Sequence, residues 1–192
     1  VISASHNLFE DNGIKFFNKD GQKFSAELEK RIESKLTQDM VAVDSINLGK
    51  ASRMSDAQGR YIEFCKSTFL DLDLSGLSIL LDCANGSTYS VAPKVFEELG
   101  AVVNTIGSSP DGININQNCG STSPEFLKDE IAKGKYDIGI AFDGDGDRIL
   151  IITSDGDILD GDDILYILSQ KLLKGSGVVG TLMTNKALEI YF

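Results

Sequence analysis

The chain has 192 residues, 42% of them hydrophobic, and a formal net charge of −11 at pH 7. This length allows one domain and part of another, and the composition is that of an ordinary globular protein. The negative charge argues against nucleic acid as a partner, because a phosphate backbone needs clustered lysines and arginines. The sequence has neither an apolar run long enough to span a membrane nor a signal peptide, so we expect a cytoplasmic protein without membrane contact.

The cysteines give a second indication of the compartment. There are three, which is an odd number, and they are far apart in sequence: Cys65, Cys83 and Cys119. No two have the Cys-x-x-Cys spacing of a zinc or redox site. The pattern therefore predicts reduced thiols in a cytosol and not a disulfide framework.

The first part of the chain predicts two strands and a helix. Residues 1–7 have the pattern of a strand that runs into a loop, and a turn signal at 11–13 separates them from a strand-like segment at 14–17. Ser25 is placed to cap a helix that continues to about Leu36. Because the chain starts inside a predicted strand and ends inside a predicted helix, we interpret it as a piece of a longer protein.

A polar, aperiodic stretch at 38–55 is the best candidate for a linker. A helix is predicted after it, from about residue 56 to residue 69. The apolar side of this helix is predicted to consist of Tyr61, Phe64, Cys65 and Phe69.

From Leu77 onward, strand and helix patterns alternate. The predicted strands are 78–81, 101–106, 137–142, 149–153 and 178–181, and the predicted helices are 90–99, one opened by Ser123 and Pro124, and 162–173. Alternation of this kind predicts an α/β fold with a mixed, mainly parallel sheet covered by helices on both faces. Ligands of such sheets bind beyond the carboxyl ends of the strands, where the loops at Ser5 and at Asp143 are both expected.

The loop after the strand at 137–142 is strongly acidic. Three carboxylates occupy alternate positions, with glycines between them that let the backbone curl: Asp143, Asp145 and Asp147. Carboxylates brought together repel one another unless a cation lies between them, and a hard cation such as Mg²⁺ prefers their oxygens. Arg148 adds a fixed positive charge in a geometry that suits phosphate. The loop therefore predicts a metal and an anion at one place.

Other interpretations of this loop can be weighed by counting positions. An EF-hand loop needs Gly at its sixth position and Glu at its twelfth, where this chain has Arg148 and Ser154, so that interpretation fails. A phosphatase with Asp143 as nucleophile is closer, but such enzymes usually have Thr or Val at the position of Asp147. A plain solvated acidic turn is the remaining alternative.

A second candidate group lies near the start of the chain. Ser5 precedes the single histidine, His6, but neighbours on an extended chain point apart, so a serine-hydrolase pair is disfavoured. A serine that faces a metal loop can instead carry a phosphate, with a charge of about −1.5 to −2 and three acceptor oxygens. Lys15 follows after a turn and is either a solvated lysine or an acid/base or phosphate contact. A structural role remains the alternative for Ser5 and His6.

Two motifs resemble the α-D-phosphohexomutase family: Ser3-Ala4-Ser5-His6-Asn7 with Asn12-Gly13-Ile14-Lys15, and Asp143-Gly144-Asp145-Gly146-Asp147-Arg148. The resemblance implies a fragment of a four-domain protein made of consecutive α/β/α domains. Residues 1–50 would be the C-terminal part of domain 1 with the phosphoserine loop, 56–157 domain 2 with the metal-binding loop, and 158–192 the start of domain 3. Residues 82–86, 111–116 and 119–122 are most similar to bacterial members that act on glucosamine phosphates.

The resemblance also implies a role for each residue of the two motifs. Ser5 would be phosphorylated, and one phosphoserine oxygen would bind Mg²⁺ together with Asp143, Asp145 and Asp147. Arg148 would contact the phosphate, Lys15 would be a general acid/base and His6 would line the site. The implied reaction interconverts glucosamine 6-phosphate and glucosamine 1-phosphate through a 1,6-bisphosphate, on the route to UDP-N-acetylglucosamine and cell-wall precursors. A homodimer stays open as an assembly, because the sequence does not determine the oligomeric state.

Three alternatives remain beside this reaction: a mutase of the same family for mannose or glucose phosphates, the aspartyl phosphatase, and a structural module stabilised by a divalent ion. The chain departs from the family at Leu8, where proline is usual, so we expect a more mobile loop there. The sugar-recognition loop of domain 3 and all of domain 4 lie outside these residues. We therefore expect the fragment alone to be inactive.

Overall fold

The computed structural model describes residues 1–69, 71–172 and 177–192. Strands and helices alternate through most of these ranges, with short 3₁₀ turns at Phe9–Asp11, Ser45–Asn47 and Ser87–Ser90. In chain order the elements are β1 (Ile2–Ser3), β2 (Gly13–Ile14), α1 (Ala26–Leu36), α2 (Ala57–Ser67), β3 (Ser78–Asp82), α3 (Ala92–Glu98), β4 (Val102–Ile106), α4 (Glu125–Ile131), β5 (Ile138–Phe142), β6 (Ile149–Thr153), β7 (Ile158–Leu159), α5 (Gly161–Leu172) and α6 (Lys186–Tyr191).

The main sheet has five strands in the order β4-β3-β5-β6-β7. The first three strands are parallel, whereas β6 pairs antiparallel with β5 and β7 pairs antiparallel with β6. The α/β class and the mixed sheet are therefore confirmed. Because β3, β4 and β5 are parallel, the loops after them meet at one edge of the sheet.

Apolar residues fill both faces of this sheet. Neighbouring residues of β3 point to opposite sides, as the two-residue period of a strand requires. One face packs against α3 and contains Ile79, Leu81, Cys83, Ala92, Ala101 and Ile140. The other packs against α4 and contains Leu80, Leu127, Ile131, Ala141 and Ile152. Helices thus cover both faces of the sheet, as predicted.

Several helix predictions hold and others need correction. The side chain of Ser25 accepts a hydrogen bond from the backbone N–H of Leu28 at 3.3 Å, so the predicted cap of α1 is confirmed. Ser123 is not a cap, because Pro124 occupies the cap position of α4 and no side chain bonds the first turn. The predicted helix at 90–99 begins as a 3₁₀ turn and becomes α-helical only at Ala92.

The predicted apolar side of α2 is wrong. Ile62 is the buried residue of this helix at 4% exposure, whereas Tyr61 and Phe64 are more than half exposed. The helix packs against α3, which itself covers the sheet, so only a narrow stripe of α2 meets other residues. Phe69 is also exposed and lies after the end of the helix.

The end of the described chain differs from the prediction as well. Residues 178–181 are irregular, Val179 is 94% exposed, and no strand within the described ranges pairs with them. The predicted end of the helix at residue 173 lies outside the described residues, and α5 is described to Leu172. Residues 38–55 are exposed and irregular apart from one 3₁₀ turn, and the domain boundaries drawn from this stretch remain a prediction.

Two further properties bear on the chemistry available. Cys83 and Cys119 are buried free thiols, and burial raises the pKa of each to about 11. None of the helices in the described ranges combines the length and the hydropathy that a membrane crossing needs.

Candidate active site

The acidic loop is organised by Asp143, the first residue after β5. This residue is completely buried. Its Oδ1 atom accepts hydrogen bonds from the backbone N–H groups of Gly146, Asp147 and Arg148, each at 3.1 Å. The backbone of the loop therefore curls around one carboxylate, as the two glycines allow. A solvated turn does not describe this residue.

The three carboxylates converge on one point. One oxygen from each of Asp143, Asp145 and Asp147 lies within 4.8 Å of the other two. Burial raises the pKa of Asp143, and the charges of Asp145 and Asp147 raise it further, while the N–H of Arg148 opposes the shift. A cation between the carboxylates would relieve both the burial and the repulsion.

Unpaired oxygens show that these residues fit a metal ion. Asp143 Oδ2 and Asp145 Oδ1 are buried and have no hydrogen-bond partner among the described residues. A buried acceptor without a partner destabilises the fold, so such atoms need a ligand. Carboxylate oxygens are the ligands that hard divalent cations prefer. The triad could therefore hold such a cation.

Asp145 also connects the acidic loop to the start of the chain. Its Oδ2 atom lies 3.1 Å from Lys15 Nζ and accepts a hydrogen bond from Ser3 Oγ at 3.3 Å. Burial raises the pKa of Asp145, but the hydrogen bond and the charge of Lys15 outweigh it, so that the pKa is lowered. Lys15 is partly exposed but is paired with the triad, so it is not merely a solvated lysine.

Ser5 lies directly against the acidic loop. Its backbone is left-handed, with φ of 54°, which is uncommon for a residue with a side chain. Its N–H donates to Ser3 Oγ at 2.9 Å. A Cβ atom placed on Gly144 would lie 2.4 Å from the Ser5 carbonyl oxygen, so only glycine permits this approach. The two loops that carry the sequence motifs are thus in contact, through the Ser5 carbonyl.

The structure corrects the expected geometry of His6. Its Nδ1 atom lies 3.5 Å from Ser5 Oγ, so the two side chains do not point apart. The expectation assumed extended backbone, whereas the left-handed Ser5 turns both side chains to one side. The distance is long for a hydrogen bond through which a proton would be transferred.

Arg148 is exposed beside the triad. Its side chain forms no ion pair with any residue in the described ranges. With Ser121, Thr122 and Asp147 it lines a surface cavity of about 400 Å³. A guanidinium in that place is available to an anion of the size of phosphate.

The sequence did not reveal the buried residues whose hydrogen bonds hold the loops of the site together. Asp82 is completely buried and accepts hydrogen bonds from Ala84 N at 3.0 Å and Gly120 N at 2.7 Å. It therefore ties the loop after β3 to the loop before α4. Asn116 reaches the Ser5 loop through its side-chain amide, and in the sequence it was marked only as part of the segment 111–116.

Gly86 follows Asn85 in the loop after β3. In the structure it lies against the acidic loop, since a Cβ atom on it would be 2.3 Å from the carbonyl oxygen of Gly144. The same carbonyl accepts a hydrogen bond from Ser87 N at 2.8 Å. The acidic loop is thus packed between the loop of Gly86 and the loop of Ser5.

These observations define an α/β protein with a candidate cation site and a serine-bearing loop at the carboxyl ends of its parallel strands. Two family models match the chain: phosphoglucomutase/phosphomannomutase α/β/α domain II over residues 59–156 and domain I over residues 1–42. The chain belongs to the phosphoglucomutase/phosphomannomutase family, whose members act on phosphosugars. The predicted family is therefore confirmed.

Individual relatives within this family share a more specific name. The chain is 56% identical over 195 aligned positions to phosphoglucosamine mutase of Legionella pneumophila, which covers 99% of this chain and 43% of that protein. It is 55% identical over 195 positions to phosphoglucosamine mutase of Cronobacter sakazakii, covering 99% of this chain and 44% of that one. The chain thus spans less than half the length of these curated relatives.

Crystal structures of family members agree with the fold. A phosphoglucomutase/phosphomannomutase family protein of Burkholderia thailandensis has a TM-score of 0.68 and 26% identity, covering 91% of this chain and 37% of that one. A putative phosphomannomutase of Thermus thermophilus has a TM-score of 0.71 and 22% identity, covering 91% and 40%. At this second level of identity the likeness concerns the fold alone.

Proposed function

We propose that the full-length protein interconverts glucosamine 6-phosphate and glucosamine 1-phosphate in the cytoplasm, for UDP-N-acetylglucosamine and cell-wall precursor synthesis. The observation that carries this proposal is the contact between the Ser5 loop and the acidic triad. A phosphate on Ser5 would lie next to a cation bound by the triad and near the charged side chains of Lys15 and Arg148. The relatives that are 55–56% identical and named phosphoglucosamine mutase support this choice of sugar.

The triad is proposed to hold Mg²⁺. Asp143, Asp145 and Asp147 would each supply one carboxylate oxygen, and a phosphoserine at position 5 would supply another. The unpaired oxygens of Asp143 and Asp145 support this assignment. When bound, Mg²⁺ supplies positive charge that stabilises a transferring phosphoryl group and the departing serine oxygen.

The chain's own groups then account for the chemistry of phosphoryl transfer. A hydroxyl of the sugar phosphate attacks the phosphorus on Ser5, the bond from phosphorus to Ser5 Oγ breaks, and a 1,6-bisphosphate forms. As a neutral amine released from its pairing with Asp145, Lys15 takes the proton of the attacking hydroxyl and passes it to the departing Ser5 Oγ. Arg148 binds phosphate oxygens through its guanidinium. His6 lines the site beside Ser5. The bisphosphate then reverses its orientation in the site, and its other phosphate is transferred to Ser5 Oγ.

In this proposal, each part of the reaction is assigned to one of the domains predicted from the sequence. Residues 1–50 carry the phosphoserine loop, 56–157 carry the metal loop and 158–192 begin a third domain. Reaction of this type needs in-line placement of the two oxygens more than covalent help. The distal phosphate of the sugar has no proposed binding group within these residues, so full activity is assigned to the full-length protein.

An aspartyl phosphatase with Asp143 as nucleophile is the main rival from another class. Asp143 is completely buried, and three backbone N–H groups occupy its Oδ1 atom. A nucleophile must reach phosphorus, which burial of this carboxylate hinders. The geometry therefore favours Asp143 as a ligand.

The test is Ser5→Ala in the full-length protein, with Ser34→Ala on the exposed face of α1 as the control. We expect the Ser5 variant to lose turnover by about a thousandfold or more, because no group remains to carry the phosphate. Mass spectrometry of the unsubstituted protein should find an acid-stable phosphate on Ser5. Normal turnover of Ser5→Ala, or a hydroxylamine-labile phosphate on Asp143, would contradict the proposal. Competition among glucosamine, mannose and glucose phosphates decides the sugar.

A further inference from the structure

Asn116 is the residue of the 107–122 loop that reaches the start of the chain. It is 5% exposed, and its backbone is left-handed with φ of 57°. Its N–H donates to the carbonyl of Ala84 at 2.9 Å, which fixes it to the loop after β3. The side chain therefore projects from backbone that is itself held in place.

The amide of Asn116 makes two hydrogen bonds to the loop of Ser5. Its Nδ2 atom donates to the carbonyl of Ser5 at 2.9 Å and to the carbonyl of Asn7 at 2.8 Å. An amide nitrogen has two hydrogens, and both are used. The Oδ1 atom is buried with no partner among the described residues, so the two carbonyls alone determine which way the amide faces.

These bonds act where the Ser5 backbone needs support. A left-handed conformation is unfavourable for serine, so the surrounding structure must hold it. The Ser5 carbonyl lies against Gly144 on the acidic loop and against Asn116: a Cβ atom on Gly144 would lie 2.4 Å from that carbonyl and 2.7 Å from Asn116 Nδ2. Fixing the carbonyl fixes the peptide plane after Ser5 and, with it, the direction of the Cα–Cβ bond from which Oγ projects.

We propose that Asn116 is a positioning residue whose amide clamps the backbone of Ser5 and Asn7 against the acidic loop and so aims Ser5 Oγ for phosphoryl transfer. The inference rests on the proposed function for its catalytic part and on the two hydrogen bonds for its structural part. The clamp joins the two segments matched by the family models, because Ser5 lies within residues 1–42 and Asn116 within residues 59–156.

The chain offers a matched control. Asn118 lies two residues further along the same loop, also has a left-handed backbone with φ of 53°, and is exposed. The substitution Asn118→Asp therefore makes the same chemical change in nearly the same backbone without touching the Ser5 loop. Asn116→Asp keeps the size of the side chain but removes both donors and sets a carboxylate against two carbonyl oxygens.

Two measurements on the full-length protein test the clamp. Hydrogen exchange followed by mass spectrometry should show amides within residues 3–9 exchanging about tenfold or more faster in Asn116→Asp, and within about twofold of the unsubstituted protein in Asn118→Asp. Single-turnover transfer of phosphate from Ser5 to the sugar phosphate should be about tenfold to a hundredfold slower in Asn116→Asp, because small misplacements of reacting atoms reduce rates by such factors. The KM should stay within about threefold, since Asn116 is buried and both hydrogens of its amide are already bonded to the Ser5 loop.

Each outcome decides one part of the inference. Unchanged exchange in residues 3–9 overturns the clamp. Faster exchange with a normal transfer rate overturns the positioning role. Absence of phosphate on Ser5 in the unsubstituted protein overturns the proposed function, while the exchange measurement still decides the clamp. If Asn116→Asp does not fold, Asn116→Ala removes the same donors without adding a charge and should give the same two results.

Discussion

Two completely buried carboxylates, Asp82 and Asp143, differ in how their oxygens are paired. Each oxygen of Asp82 accepts a backbone hydrogen bond. Asp143 has one oxygen that accepts three and another that accepts none from the described residues. A carboxylate with both oxygens paired holds loops together, whereas one with a free buried oxygen is suited to a ligand. The residue type and the burial are the same for both, so only the pairing of the oxygens distinguishes the structural aspartate from the candidate ligand.

The structural role of Asp82 leads to a prediction. The variant Asp82→Asn leaves either Gly120 N or Ala84 N facing an amide group that cannot accept, so we expect the free energy of unfolding to fall by about 1–3 kcal/mol at pH 7. Urea unfolding monitored by circular dichroism measures the change. Asp155→Asn, in an exposed turn, is the control and should change the free energy by less than about 0.5 kcal/mol.

The pH dependence of that variant has a definite sign. Burial raises the pKa of Asp82, and the hydrogen bonds from Gly120 and Ala84 only partly oppose it. The folded protein therefore takes up this proton at a higher pH than the unfolded chain, whose value is about 3.9. The unsubstituted protein gains stability from Asp82 as the pH falls through the folded pKa, and the variant lacks that gain. The difference between the two proteins should thus widen from pH 7 to pH 4, and a constant difference would contradict the assignment.

Among individual residues, the sequence predicted those that are recognised by their spacing along the chain. The triad follows from three aspartates at alternate positions. Asp82 and Asn116 could not be found this way, because Gly120 lies 38 residues from Asp82 and Ser5 lies 111 residues from Asn116, and only the fold brings each pair together. The expected orientation of His6 was wrong for a local reason, since a left-handed serine cannot be recognised from its neighbours.

Among the elements, the loops at the carboxyl ends of the strands approach one another where glycine allows it. The variant Gly144→Ala would place a methyl group against the Ser5 carbonyl and the Asn116 amide. Since both neighbours are fixed by other contacts, we expect a loss of about 1–3 kcal/mol in the free energy of unfolding. Thermal unfolding of this variant beside the unsubstituted chain measures the loss.

The matched comparison for that variant is Gly59→Ala. Gly59 lies inside α2, where an added Cβ atom meets nothing within 4 Å. Alanine should therefore stabilise the protein by about 0.5–1 kcal/mol through its better helix propensity. The two substitutions add the same atom and should change stability in opposite directions. Stabilisation by Gly144→Ala would mean that the two loops do not pack as described.

The elements predicted best are those that local patterns determine. The bounds of β3 to β6 agree with the predicted strands within one or two residues, and α1 begins at its capping serine. The strand at 178–181 failed because an apolar run forms a strand only when a neighbour supplies hydrogen bonds. The apolar face of α2 failed because burial depends on what packs outside the helix, which its own period does not encode.

The molecule as a whole combines an acidic chain with a site that needs positive charge. Alternation of strands and helices was enough to predict the α/β class, but the reversal of direction after β5 was not encoded in it. That reversal makes β6 an antiparallel neighbour of β5 and places the acidic loop in the tight connection between them. A cation at this loop would bridge the segment matched by domain I and the segment matched by domain II, through Asp145 and its contacts with Lys15 and Ser3.

Metal binding should therefore stabilise the whole chain. A ligand present at a hundred times its dissociation constant adds about 2.7 kcal/mol to the free energy of unfolding, which corresponds to a rise of roughly 5–10 °C in Tm for a domain of this size. We expect Mg²⁺ to produce such a rise in a thermal scan, and Asp145→Asn together with Asp147→Asn to abolish it because two of the three carboxylates are lost. The control is Asp155→Asn, which should respond to Mg²⁺ as the unsubstituted chain does. An equal rise in the triad variant would mean that the cation binds elsewhere, and the unpaired oxygens of Asp143 and Asp145 would then need a different ligand.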